Sequence, residues 1–406
     1  MSLIKNLISY SEEVPLSKSR KTLWNSFLSK GFPTNKHEDW KYTSIKKIIS
    51  KNYVLKNAAK NEEAIDFKKY GLGLKNQIII LDGSLKKHPK LDGLSISSFS
   101  EFDCRNDNSL IELNAALSND GFCLSLMKNT IIQDPVEIIF INSNKNNFLQ
   151  YRNQIKIGEN SEIKLVEQIY DLSDSETLYN NFTRISCGNN SKIEYNKIQN
   201  NSSKSNVIDS MNVFQNKDST ATVNTLIFGG NFIRNNLNFE QNGENCESNM
   251  NGVSLIDNNQ LADNHTFVDH KIANCRSNEM YKGIYLGKSK GVFNGKIMVR
   301  KDAQKIDAFQ ANNNLLLSED STIDSKPQLE IYADDVKCSH GCTIGQLDKD
   351  SLFYMRSRGI GIEESKAILT YAFASEAINN LSIKEVKKLC KDLLSRKLNV
   401  NLDLSI

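Results

Sequence analysis

GENSEI at 158–163, GNNSKI at 188–193, NKDSTA at 216–221 and SEDSTI at 318–323 each read as a polar turn, then serine, one further residue and an apolar or small side chain. The serines stand at 161, 191, 219 and 321, so the first two intervals are 30 and 28 residues by subtraction. The last is 102, about 3.5 such steps, and the register is not kept throughout. A step of roughly 25 to 30 residues is too long for one hairpin strand. It suits a coil of three short strands and three turns in a parallel β-helix, each coil hydrogen-bonding to the next. Asparagine crowds the turns, where it tolerates left-handed backbone and can stack in side-chain ladders. A β-sandwich of irregular strands in an Asn- and Lys-rich chain is the other reading of the same pattern.

Working outward, the runs QIIIL (77–81), VEIIFI (136–141), NQIKI (153–157), IKLVEQI (163–169) and IEYNKI (193–198) are strand-like and separated by Asn, Gly, Ser and Asp. All-β material therefore extends over residues 76–343. Residues 1–75 read as helical: Leu16, Leu23, Trp24, Phe27 and Leu28 recur at helical spacing, and Gly31 with Pro33 supplies a stop. Residues 344–406 return to helix. Asp348 precedes a run with Leu352, Phe353 and Met355, and Gly359 sits where a left-handed cap belongs. A second helix follows Glu363, and Ser382-Ile-Lys-Glu385 has the form of a capping box before a third.

The chain of 406 residues carries 24% charged side chains and a formal net charge of +3. That near balance offers no field to draw nucleic acid or an anionic membrane. No apolar run approaches the ~20 residues of a spanning helix, and Met1 to Pro15 lacks the apolar core of an export signal. The expectation is a cytoplasmic protein. Its eight cysteines, at 104, 123, 187, 246, 275, 338, 342 and 390, show no disulfide-framework spacing and read as reduced thiols.

Lys337-Cys-Ser-His-Gly-Cys-Thr343 is the densest cluster of soft ligands. In an extended segment Cys338, His340 and Cys342 share one side, because side chains alternate with period two. Thiolates and an imidazole on one face suit iron, zinc or a sulfur-bearing intermediate. A closed zinc site needs four ligands, however, and no second Cys/His pair has finger spacing. From the residues alone, a strand with buried cysteines flanking a backbone-bonded histidine is the better reading of the cluster, because buried free cysteines are common. Asp263, His265, Asp269 and His270 form another group, but the two histidines are five apart and face opposite sides of a strand, which favours structural roles. No GxSxG elbow surrounds Ser339, beside His340, and no GxxxxGK[ST] loop occurs, so neither a hydrolase elbow at that serine nor a P-loop is expected. His37-Glu-Asp-Trp-Lys-Tyr-Thr43 reads as a helix-to-loop junction anchored by Trp40 and Tyr42.

At this point the residues resemble a known family, the SufB/SufD scaffold proteins of iron–sulfur cluster assembly. EDWKYT at 38–43 is similar to its N-terminal signature. A longer likeness runs through Asp263-Asn-His-Thr-Phe-Val-Asp-His270, Tyr281-Lys-Gly283, Gly291-Val-Phe-Asn-Gly-Lys296, Asn314-Leu-Leu-Leu-Ser318, LEIYADDVKCSHG at 329–341, GQLD at 345–348 and LFYMRSRGI at 352–360. The CSHG form and the modest length resemble the SufD branch rather than SufB.

The resemblance implies a mainly β chain, a right-handed parallel β-helix flanked by N- and C-terminal α-helical regions. It implies a scaffold rather than an enzyme, pairing with SufB and docking the ATPase SufC through the C-terminal region, where Leu352, Phe353, Met355, Arg356 and Arg358 match the family motif. It places His340, with Cys338, near the SufB–SufD boundary as a transient ligand of a nascent cluster. Cys342 inherits no role. No cofactor is expected to be bound stably, and a flavin on the complex stays open, as does a homodimer of the chain alone. Two competing readings are a secreted-type β-helix enzyme acting on polysaccharide and a self-sufficient homodimeric cluster carrier.

Overall fold

The computed structural model describes residues 3–55, 65–99, 108–118 and 120–399, so Cys104 and the last seven residues of the C-terminal region lie outside the described residues. The repeated turn is built as its sequence demands. Asn160, Asn190 and Asp218 take φ of 54°, 51° and 59°, and the same left-handed conformation returns at Asn245 and Asn274. Most residues resist that region by ~1–2 kcal/mol, whereas Asn and Asp tolerate it. The side chains stack from turn to turn: Asn160 Nδ2 donates to Asn129 Oδ1, Asn190 Nδ2 to Asn160 Oδ1 and Asn245 Nδ2 to Asp218 Oδ1, each at 2.9 Å. The serine that follows is buried and closes its own turn, with Ser191 Oγ donating to the Gly188 carbonyl at 2.7 Å and Ser219 Oγ to that of Asn216 at 2.6 Å. Cys246 and Cys275 continue the column where serine stops, so the column 161, 191, 219, 246, 275 advances by 30, 28, 27 and 29 residues.

Strands β1 (Asn76–Leu81), β2 (Ser84–Lys87), β3 (Leu94–Ser98), β4 (Phe122–Leu126), β5 (Val136–Asn142), β6 (Phe148–Leu149) and β7 (Arg152–Ile157) begin the fold. Then come regular pairs: β8 (Glu162–Asp171) and β9 (Thr177–Cys187), β10 (Lys192–Gln199) and β11 (Ser205–Gln215), β12 (Thr220–Ile227) and β13 (Phe232–Gln241). The series closes with β14 (Glu247–Ile256) and β15 (Leu261–His270), β16 (Arg276–Tyr285) and β17 (Lys290–Val299), β18 (Ile306–Leu316) and β19 (Thr322–Ile331), and β20 (Val336–Gly345). One sheet runs β2-β1-β5-β8-β10-β12-β14-β16-β18-β20 and the other β3-β4-β7-β9-β11-β13-β15-β17-β19.

From β8 onward the chain alternates between the sheets and pairs only in parallel, a two-walled β-solenoid of about eight turns. Parallel pairing overturns the sandwich alternative. It also corrects the expected coil of three short strands: each turn has two strands of 8–11 residues. The half-step in the serine register has the same origin. Ser321 precedes β19 in the second sheet, so it stands at the opposite corner from Ser161, Ser191 and Ser219.

Between the walls lies an apolar core that includes Phe140, Tyr151, Tyr179, Val213, Phe239, Met250 and Phe293, with the Phe140 and Tyr151 rings stacked at 4.6 Å. The helices are α1 (Leu3–Glu13), α2 (Lys18–Lys30), α3 (Lys46–Ile49), α4 (Ser109–Leu117), α5 (Lys349–Ser357), α6 (Ile362–Ile378) and α7 (Lys384–Lys397), and all but α5 help to cover the outer faces. Trp24, Phe27, Leu110 and Leu113 pack on Phe148, Leu178, Ile208 and Phe232 of the second sheet. Ala374, Ile378, Val386 and Leu394 cover Ile198, Leu226, Val253 and Ile284 of the first. Helix α4 interrupts the strand series and belongs to the N-terminal layer, its last carbonyls capped by Arg20, which donates to Ala116 O at 2.7 Å and Ser118 O at 2.6 Å.

Gly31 ends α2 at φ 68°, and Asp348 Oδ2 caps α5 by accepting from Ser351 N at 2.9 Å. The capping box at Ser382 does not form. Ile383 is the N-cap of α7, and the Ser382 hydroxyl donates instead to Glu194 of β10, so the residue ties the helix to the solenoid.

Candidate assembly site at the open end of the solenoid

The two ends of the solenoid differ. At the N-terminal end both sheets fold back on themselves through the antiparallel pairs β1–β2 and β3–β4. At the other end β19 and β20 are edge strands, and most of their residues are half-buried or exposed. An edge of this kind presents unpaired N–H and C=O groups ready to receive another chain. Large apolar side chains lie exposed around it: Phe309 on β18, Ile331 and Tyr332 at the end of β19, and Ile344 on β20.

Cys338, His340 and Cys342 all lie on β20, in register with Ala308, Gln310 and Asn312 of β18. Those three neighbours are buried in the lumen. In-register residues of a parallel pair point the same way, so the two thiols and the imidazole face inward at the mouth of the solenoid. The period-two reading of the motif holds, and the cluster is open to solvent because the wall stops there. Cys342 is exposed yet tethered: its Sγ donates to Ser325 Oγ at 3.2 Å, and Ser325 Oγ donates to Asn312 Oδ1 at 2.8 Å across the lumen. Cys338 is half-buried, and burial, aided by Asp307, raises its thiol pKa, which favours the protonated form. His340 is exposed and makes no hydrogen bond to the described residues.

Residues i and i+2 on a strand lie roughly 6.6 Å apart, too far for neighbours on one wall to chelate one ion. Accordingly, among the described residues no group of three or more His, Cys, Asp or Glu is close enough to hold a metal. On this geometry the wall could supply at most one or two ligands to an ion or cluster.

The lumen wall behind His340 changes character along its length. The inward column reads Leu165, Tyr195, Val223, Met250, Glu279, Gln310, His340 by strand register. Gln310 Nε2 donates to Glu279 Oε2 at 2.7 Å, and both side chains are buried. Gly295 on the facing wall makes room for that amide, since a Cβ there would collide with it. Sequence reasoning passed over Glu279, Gln310 and Ser325. The available signal was parity: in β18 Gln310 and Asn312 share phase with the buried Ile306 and Ala308.

Helix α5 begins four residues after β20 ends and buries none of its side chains. Leu352 and Met355 are half-buried; Phe353 (73% exposed), Arg356 and Arg358 are exposed, and the Arg358 guanidinium stands 5.1 Å from the Tyr354 ring. A cavity of about 430 Å³ separates α5 from α6 and the solenoid, lined in part by Leu316, Leu347, Leu352 and Ala367.

The second sequence cluster divides as its spacing requires. His270 points inward, its Nε2 2.9 Å from Ser277 Oγ, while Asp263 and His265 point outward toward the N-terminal segment. Asp263 receives Arg234 Nη1 and the Thr43 hydroxyl, each at 2.6 Å, and lies 2.9 Å from His265 Nε2. Burial would raise this carboxyl, but Arg234, His265 and Thr43 outweigh it and hold the pKa at about 2. Trp40 stacks under Arg234 at 3.9 Å, so the EDWKYT signature is a clamp fastening the N-terminal region to the solenoid.

The fold and site together define a parallel β-solenoid that ends in an open edge lined by thiols and an imidazole. Two comparisons give the class a family. Residues 139–373 match "SUF system FeS cluster assembly, SufBD core domain", and residues 3–71 match "SufBD protein N-terminal region". The chain belongs to the SufBD family of iron–sulfur cluster assembly proteins. It is 29% identical over 376 residues to the iron–sulfur cluster assembly protein SufD of Escherichia coli (strain K12), covering 89% of this chain and 88% of that one. SufD of Bacillus subtilis (strain 168) is 25% identical over 297 residues, 72% and 67% of the two chains. Among the described residues no helix is long and apolar enough to cross a membrane.

Proposed function

We propose that this chain is the SufD-type, non-catalytic subunit of a cytoplasmic SufBCD complex, pairing with SufB through the open end of its solenoid and docking the ATPase SufC through its C-terminal helices. The observation that carries this reading is the placement of Cys338, His340 and Cys342 on the inner face of the edge strand β20, which is paired on one side only. A nascent cluster needs ligands that become accessible transiently, because a permanently closed site would neither accept sulfur nor release product. An interface that opens and closes provides such access. Here β20 leads into α5 within three residues, which gives SufC a short path for pulling on the edge strand that bears His340. His340 is then the residue this chain offers to the cluster, Cys338 its neighbour at the boundary, and Leu352, Phe353, Met355, Arg356 and Arg358 the surface offered to SufC. The cluster is cargo held between subunits. The reading does not require a flavin on the complex.

The test is His340→Ala in the co-expressed complex. Assembly should be intact by native mass measurement and cluster formation in cells abolished. Cluster formation at the unsubstituted level rejects the role.

A further inference from the structure

Gln310 is buried directly behind His340, one strand away, or ~4.8 Å. Its amide is pinned from one side only. The NH₂ group donates to Glu279, while the carbonyl oxygen Oε1 is buried with no hydrogen-bond partner. Leaving a buried acceptor without a donor is destabilising, and such groups call for an explanation. The fold maintains this arrangement at a cost in core packing: Gly295 forgoes a side chain so that the amide can lie across the lumen. The neighbouring column shows what a completed arrangement looks like, since Asn312 at the next inward position accepts from both Ser325 and Asn314, at 2.8 and 2.7 Å. In the His340 column the acceptor is present and the donor is missing. The ring that could supply it is exposed and unbonded.

We propose that Gln310 is a positioning residue for His340: when a partner closes the mouth of the solenoid, the Gln310 carbonyl accepts from one ring N–H and leaves the other nitrogen free, and oriented, to ligate the cluster. The inference rests on the reading of His340 given above and adds to it. A histidine ligand ordinarily donates its other ring N–H to a second group that fixes its tautomer, and loss of that group costs 10- to 100-fold. Glu279, when ionised, holds the amide in the required orientation, because a carboxylate can only accept, here from the NH₂ end.

The experiment uses the co-expressed complex with Gln310→Met, which fills the same space without an acceptor, and Glu279→Met, which frees the amide. Each variant should assemble by native mass and melt near the unsubstituted complex. Cluster formation should fall at least tenfold in both and no further in the double variant. Pulsed EPR of the residual reduced cluster, in complex labelled with ¹⁵N-histidine, should show the His340 nitrogen coupling weakened or lost, a change that a packing defect alone does not produce. Unchanged cluster formation by either assembled variant overturns the proposal. So does failure of both to assemble, which makes the column purely structural. His340→Ala run in parallel separates the claims: if it abolishes cluster formation while Gln310→Met does not, only the positioning role falls.

Discussion

His270 shows how one side chain can set a pH dependence. Sealed in the lumen against Ser277, its imidazole is pulled down to about 4 by burial, against the opposing pull of Asp269. The unfolded chain binds this proton near pH 6.5, so between that value and about 4 the unfolded state holds more protons than the folded one. Stability from this group is present above that window and is lost as the pH falls through it. Glu279 and Glu167, both raised to about 7 by burial, contribute the opposite slope as the pH rises from their unfolded values. The His270 contribution therefore has to be read as a difference between proteins. From pH 7 to pH 5, urea unfolding of the unsubstituted chain should lose about 2 kcal/mol relative to His270→Gln; parallel profiles would contradict the assignment. That His265 and His270 face opposite ways was legible from their spacing, as was the common face of Cys338, His340 and Cys342. Glu279 and Gln310 were not, because a polar residue inside a strand is read as pointing to solvent. Only knowledge of which phase faces the lumen reverses that.

Among the elements, the C-terminal helices divide by burial rather than by order. Helices α6 and α7 are part of the core covering the first sheet, with Lys282 of β16 paired to Glu376 and lying 4.4 Å from the centroid of the Phe373 ring. Removing them would expose Ile198, Leu226, Val253 and Ile284. Helix α5 has no such obligation, and it carries the freely available contact surface. Phe353→Asp combined with Arg356→Glu should abolish co-purification of SufC while shifting the thermal midpoint by no more than a degree or two, since exposed substitutions rarely exceed ±0.5 kcal/mol. Retention of SufC would remove α5 from the docking surface. The solenoid was legible in the repeated Asn-Ser turn because left-handed backbone restricts residue choice locally. The number of strands per turn was not: a repeat fixes the length of a turn, and how that length divides between strands and corners is decided by packing across the lumen. The Ser382 motif failed for a related reason, as Glu194 on a distant strand competes for the hydroxyl.

For the whole molecule the governing feature is asymmetry. One end of the solenoid is closed by its own antiparallel strands, and the other leaves two edge strands, a ring of exposed apolar residues and a polar lumen uncovered. Repeat proteins require polar caps at their ends, and an uncapped end is an interface in waiting. Amide hydrogen exchange across residues 336–345 tests this most directly, comparing the chain alone with its complex with SufB. At the amides of that strand that do not bond to β18, slow exchange is expected only when SufB is bound. A stable complex in which those amides exchange as fast as in the isolated chain would contradict it.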